Sequence, residues 1–208
     1  MYKRQFLHIA TALLFAGFTS SCSDFLDRYP LDELSDSSFW KTENDAMMAV
    51  TDIYGCLPTW DQDEDINSDN AVHGIKWAAG NISKGIYDPM DQSWAGSYTP
   101  IRQCNLVLEK VKDIEMSDES RKKIEGQAYF FRAFVYFQLA KRHGGVILYD
   151  DLPVSTNKAR SSAEETWQFI ADDLDFAANN LPKEWDAANK GRITKGAAYA
   201  LKSRAMLY

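Results

Sequence analysis

Three tryptophans, Trp60, Trp77 and Trp94, fall within one stretch of the chain, residues 59–96, which also carries Asn81 and Asp91. Flat aromatic faces pack against the apolar side of a sugar ring, while amide and carboxylate side chains take up the hydroxyl hydrogen bonds. Trp60, Trp77, Asn81 and Trp94 are therefore the candidate ligand-binding residues. The competing reading is that each tryptophan anchors a long loop to whatever lies beneath it. Trp40 and Trp167 sit at positions associated with helices, where core packing is expected.

Acidic residues alternate through Asp61, Asp63, Asp65, Asn67 and Asp69, a pattern reminiscent of a calcium loop, because a hard cation needs several oxygens from one sharp turn. Ile66 stands where such a loop requires Gly, and Val72 where it requires a bidentate Glu. The stretch reads as a solvated acidic loop, with a looser calcium site left open; no metal centre or cofactor is assigned. The chain has no Gly-x-Ser-x-Gly elbow, no His-Glu-x-x-His helix and no glycine-rich phosphate loop. Nothing in the carboxylate spacing fixes two of them across a cleft for glycoside hydrolysis. The chain is read as no enzyme, with a surface-anchored carbohydrate-active enzyme as the alternative. His143 sits where a helix is expected to end, beside Gly144, and a partial positive charge is favourable there.

The N-terminus carries Lys3 and Arg4, then about 13 mostly apolar residues from Phe6 to Phe18, then Thr19-Ser-Ser-Cys22. Spanning a bilayer takes about 20 residues, so residues 1–21 read as a signal peptide. A cysteine at that place is the residue bacteria diacylate, making Cys22 the candidate lipid anchor to a membrane, with an ordinary secretory cleavage and an incidental Cys22 as the alternative. Removing residues 1–21 takes away two basic residues and no acid, leaving 21 Lys+Arg against 30 Asp+Glu and a net charge of −9. No basic stripe remains to neutralise phosphates, which argues against nucleic acid as a partner. Cys56 and Cys104 are too few for a disulfide framework. Both read as buried apolar residues on helices, although an exported location permits one bridge between them.

The elements that must position these residues are helices. Thr42 with Asp45 makes a cap-like start, and Ala46, Val50, Ile53, Tyr54 and Leu57 follow at helical spacing until Pro58. Residues 59–96 lose all periodicity and read as a long irregular loop. A second helix is predicted from Thr99-Pro100, with Ile101, Cys104, Leu108, Val111 and Ile114 on its apolar face. A third runs from Ser117 to about His143 with Ala128, Phe131, Phe134, Val135 and Leu139 inward, stopped by Gly144-Gly145. Residues 146–149 read as extended. A fourth starts at the Ser162/Glu165 capping box and places Trp167, Ile170, Leu174, Ala177 and Leu181 on one side; Thr194 caps a fifth. Ala128, Ala133, Ala197, Ala198 and Ala205 allow close backbone approach. The fold class is all-α, a degenerate tetratricopeptide-like helical repeat with long irregular loops and no strong sheet. With no stop signal after Thr194, residues 194–208 read as a helix in mid-course, so 22–208 is read as one helical domain truncated at its C-terminus.

Taken together, Cys22-Ser-Asp-Phe-Leu-Asp27, Pro30, Ser38-Phe-Trp-Lys-Thr-Glu-Asn-Asp-Ala46 and Tyr54 resemble the N-terminal signature of the SusD/RagB family. The resemblance continues through Ile101 and Asn105, through Gly126-Gln-Ala-Tyr-Phe-Phe-Arg-Ala133 to Gly144-Gly-Val146, and through Asp172-Asp-Leu174, Leu181-Pro182 and Gly191-Arg-Ile-Thr-Lys-Gly-Ala-Ala198. Gln127 stands where the family often has Glu, and Ile147 where Pro is common. The resemblance implies a cell-surface nutrient-binding lipoprotein of the outer membrane facing the exterior. Such a protein takes an oligosaccharide or other nutrient ligand and has a SusC-like TonB-dependent transporter as partner. A helical-repeat adaptor that binds protein only is the remaining alternative.

Overall fold

The structure, a computed structural model, describes residues 39–58, 85, 94–152 and 157–208. Two compact units are distinguished, Met1–Phe39 and Trp40–Tyr208; the helices below all belong to the second. Cys22, Trp60, Trp77, Asn81 and the Asp61–Asp69 alternation lie outside the described residues. Five α-helices are described: α1 Glu43–Ile53, α2 Trp94–Lys110, α3 Asp118–His143, α4 Ala163–Asn180 and α5 Lys195–Ala205. Among the described residues there is no strand, and no helix is long and apolar enough to cross a membrane.

The helix starts follow from local chemistry. At α1 the Thr42 hydroxyl accepts from Asp45 N (3.3 Å) while the Asp45 carboxylate accepts from Thr42 N (2.8 Å), a reciprocal pair that serves amides of the first turn. The same reciprocal pair opens α4, with Ser162 N to Glu165 Oε2 at 2.8 Å and Glu165 N to Ser162 Oγ at 3.1 Å. Ser117 caps α3 by accepting from Ser120 N. Thr194 takes the N-cap position of α5, but its hydroxyl accepts no capping bond; the Lys195 amide goes to the Pro182 carbonyl instead. The start of α2 differs from the sequence reading. The helix begins at Trp94, not at Thr99-Pro100, and Pro100 lies inside it.

The third helix is the centre of the unit. It packs against α1, α2 and α4, and α4 packs in turn against α5. The sequence reading gave α3 one inner stripe. In the structure Ile124, Gly126, Gln127, Ala128, Phe130, Phe131, Arg132, Ala133, Val135, Tyr136, Phe137, Leu139 and Ala140 are all buried, so burial reaches most of its circumference. Tyr98 with Ile147, Asn105 with Arg132 and Val111 with Arg121 are joined in that order, which makes α2 and α3 antiparallel. The α3–α4 seam is antiparallel by the same argument. Tyr136 meets Phe169 (5.3 Å between ring centroids), Arg132 meets Asp173, and Tyr129 meets Phe176 (4.4 Å). Those positions recur at spacings of three and four, one face of each helix.

Gln127 is fully buried in the N-terminal half of α3. Its Oε1 accepts from the Tyr54 hydroxyl (3.0 Å) and from Arg192 (3.3 Å), and Tyr54 in turn accepts from Ile193 N (2.9 Å). One amide thus ties the turn after α1 to the connection before α5, and burial raises the Tyr54 hydroxyl above its ordinary pKa. Of the two cysteines among the described residues, Cys104 on α2 is buried, Cys56 in the 3₁₀ turn Tyr54–Cys56 is half-buried, and both are free thiols. Trp40 and Trp167 are partly buried against the core as expected, Trp167 with its ring stacked on Tyr208 at 5.1 Å.

Candidate functional site

Trp94 is the candidate ligand residue that the structure describes. It occupies the first position of α2 and is half-buried. Its indole meets Tyr98 one turn on (5.7 Å between centroids) and the His143 ring edge-on (5.0 Å, 85°), and the Arg160 guanidinium lies over it at 5.4 Å. Tyr98 itself meets Tyr149 edge-on at 5.8 Å, with Lys158 over the Tyr149 ring. An aromatic and cationic cluster thus gathers where the chain enters α2, at the end of α3 and just ahead of α4.

The segment after α3 that supports this cluster lies outside regular secondary structure, and side chains from three helices hold its main chain. Arg160 donates to the carbonyls of His143 (2.6 Å) and Gly145 (2.8 and 2.6 Å). Thr166 accepts from Val146 N, and the Val146 carbonyl accepts from Ser161 N. The Tyr98 hydroxyl accepts from Ile147 N and donates to Ile147 O, both at 3.2 Å. Tyr136 accepts from Tyr149 N (2.7 Å). Asn105 donates to the carbonyls of Tyr149 and Asp151, and Arg132 to that of Asp150. A buried backbone outside regular structure must find such partners. Burial pushes the Tyr98 hydroxyl up to about 12 and raises that of Tyr136 as well, so both stay protonated and keep donating, Tyr136 likewise to Ile147 O at 3.3 Å.

Two glycines make the turn possible. Gly144 ends α3 with φ of +69°. A Cβ on Gly145 would stand 2.1 Å from the Ser161 carbonyl oxygen and 2.7 Å from the Ser162 carbonyl carbon, so no side chain fits between the turn and the start of α4.

Beneath the segment lies the buried pair Arg132 and Asp173. Arg132 Nε and Nη2 donate to the two carboxylate oxygens at 2.8 and 2.7 Å, and Nη1 donates to Asn105 Oδ1 at 2.7 Å. The guanidinium also lies 5.0 Å from the Tyr129 ring centroid and 4.8 Å from that of Phe169. Burial raises the Asp173 carboxyl against the pull of Arg132; burial alone would lower Arg132, and Asp173 outweighs it. Sequence reading placed both residues in family-like motifs without pairing them. The available signal was a charge on each of two apolar helix faces, Arg132 among Phe131, Ala133 and Val135, and Asp173 beside Leu174.

On a neighbouring face of α2 an open groove of about 480 Å³ is lined by Gly55, Cys56, Ser97, Thr99, Phe134 and Gln138. Its size falls in the range of small-molecule sites, and it offers two hydroxyls and an amide above an apolar floor. Pro58 and Trp94, which bound the stretch carrying Trp60, Trp77 and Asn81, are close in sequence to its two walls. Among the described residues no group of His, Cys, Asp and Glu is placed to hold a metal ion.

The model of a family described as "Starch-binding associating with outer membrane", SusD-like, matches residues 24–207. A SusD-like protein, P38, from Formosa agariphila is 28% identical over 184 residues, covering 81% of this chain and 36% of the relative. The crystal structure of a SusD-like protein from Bacteroides fragilis superposes with a TM-score of 0.77 at 33% identity, covering 87% of this chain and 38% of that one. A laminarin-binding SusD-like protein superposes at 0.72 with 22% identity over 81% of this chain and 40% of that one, a likeness of fold. The chain thus spans under half the length of these relatives. With the helical, tetratricopeptide-like architecture of the described residues and a family match across residues 24–207, the chain belongs to the SusD-like family.

Proposed function

We propose that this chain is part of a cell-surface lipoprotein that binds a glycan and delivers it to a SusC-like TonB-dependent transporter, anchored in the outer membrane through Cys22 and facing the exterior. The family match over residues 24–207, to a family described as starch-binding and associated with the outer membrane, carries this reading. Trp60, Trp77, Asn81 and Trp94 are its ligand contacts, with the rings stacking on sugar faces and the amide meeting hydroxyls. The protein binds and releases the glycan without making or breaking a bond in it. Support comes from the held aromatic cluster at Trp94, from the adjoining groove, and from a mature charge of −9 that suits an exported, solvated protein.

The test is calorimetric titration of residues 22–208, and of Trp60→Ala, Trp77→Ala and Trp94→Ala variants, with starch and laminarin oligosaccharides. Binding of at least one glycan is expected, weakened about tenfold by loss of a stacking ring. No binding to either glycan, or binding indifferent to all three substitutions, overturns the assignment. Labelling with palmitate that disappears in Cys22→Ala checks the anchor, and co-purification with an outer-membrane barrel checks the partner.

A further inference from the structure

We propose that Arg160 is the positioning residue for the Trp94 indole. The inference deepens the glycan-binding reading, and its functional half rests on that reading; its positional half does not.

Arg160 lies two residues ahead of Ser162, the N-cap of α4, and Ser161 N is bonded to the Val146 carbonyl, which fixes where the arginine stem begins. From there the guanidinium does two things together. Its N–H edges bond the carbonyls of His143 and Gly145, and its centre lies over the Trp94 ring at 5.4 Å. A planar guanidinium can use its edges for carbonyls while its face meets an aromatic ring; a lysine ammonium has no such plane. The His143 carbonyl belongs to the last turn of α3, where a positive charge is favourable. The ring of the same His143 meets Trp94 edge-on. Arg160 therefore holds both the indole and the backbone that carries the indole's second neighbour. Three places far apart in sequence, the start of α2, the glycine turn after α3 and the approach to α4, converge on one side chain. An aromatic platform held this way needs no reordering when a ligand arrives, which is how preorganisation improves affinity.

The experiment uses residues 22–208 labelled with 5-fluorotryptophan, whose six fluorine signals are separated by NMR and the Trp94 signal assigned with Trp94→Phe. Arg160→Gln keeps hydrogen-bonding capacity without charge, and Arg160→Lys keeps charge without the plane. In both variants the Trp94 signal is expected to shift and broaden, most in Arg160→Gln, while the Trp40 and Trp167 signals stay in place as folding controls. An unmoved Trp94 signal in Arg160→Gln, or equal movement of all six, overturns the proposal. In a parallel titration with laminarin oligosaccharides, Arg160→Gln is expected to bind about five- to tenfold more weakly. The same change made in Trp94→Ala is expected to add nothing; an equal loss in that background overturns the functional half. If the parent chain binds no glycan while Arg160→Gln still displaces the Trp94 signal, the ligand reading falls and the positional assignment stands.

Discussion

Arg132 of α3 and Asp173 of α4 form a two-point ion pair in the interior, at 2.8 and 2.7 Å, with side chains 4% and 6% exposed. The pair is more than a bolt between two helices. The third guanidinium nitrogen meets Asn105 of α2, whose own amide holds the Tyr149 and Asp151 carbonyls. Three helices and the irregular segment after α3 therefore share one charge network, with Tyr129 and Phe169 against the cation.

Removing one partner leaves the other buried and uncompensated. Arg132→Ala or Asp173→Ala is expected to cost about 3–5 kcal/mol in urea unfolding of residues 22–208. The double change Arg132→Met with Asp173→Leu should recover most of that loss, because the desolvation of both charges disappears with them. Additive losses in the double variant would show that the network contributes through shape rather than charge.

Gly145→Ala sets a Cβ against the main chain of Ser161 and Ser162, which cannot rotate away as a side chain can. The substitution is expected to lower stability by at least about 2 kcal/mol, as overpacking does where neighbours cannot yield. Gly55→Ala is the control, since nothing lies within 4 Å of the Cβ it would add. Equal melting temperatures for the two variants would contradict the packing described at the glycine turn.

The Ser162 and Glu165 box at the start of α4 makes an acid-sensitive contribution. The Ser162 amide and hydroxyl hold the Glu165 carboxyl below its ordinary value of 4.5. The folded state thus binds its proton less readily than the unfolded chain. The contribution is present above pH 4.5 and is lost as pH falls through the depressed folded value. Glu165→Gln should flatten that part of the stability-against-pH curve and leave the curve near neutrality almost unchanged in shape. Ser162→Ala, which removes the capping oxygen, is expected to cost about 1 kcal/mol at pH 7.

Burial pushes the Cys56 thiol up to about 11. At pH 8 its thiolate fraction is about a hundredfold below that of a free cysteine, so alkylation by iodoacetamide should be slower by roughly that factor and speed up toward pH 11. Mass spectrometry of the alkylated chain reads this directly. A chain in which Cys56 and Cys104 resist labelling until reduced would show a disulfide where the structure has two free thiols.

The helical class, four of the five described helix starts and the stop after His143 are legible in the chain alone; three of those starts and the stop rest on local signals, whereas at Thr194, which makes no capping bond, the Lys195 amide reaches the distant Pro182 carbonyl. Ser117, Ser162 and Thr42 need only the amides three residues on, and Gly144 needs only its own φ. The start of α2 was missed because Pro100 reads as a first-turn residue, while the packing of Trp94 on Tyr98, His143 and Arg160, which accompanies the earlier start, joins parts of the chain up to 66 positions apart. Trp94 was legible as a candidate by its type, yet its helical setting and its neighbours were not. Nor could the pattern reveal the Arg132 and Asp173 pair or the hub at Gln127. A polar residue on an apolar face announces a need for a partner, and only the meeting of α3 with α4, and of Tyr54 with Arg192, decides which residue answers it.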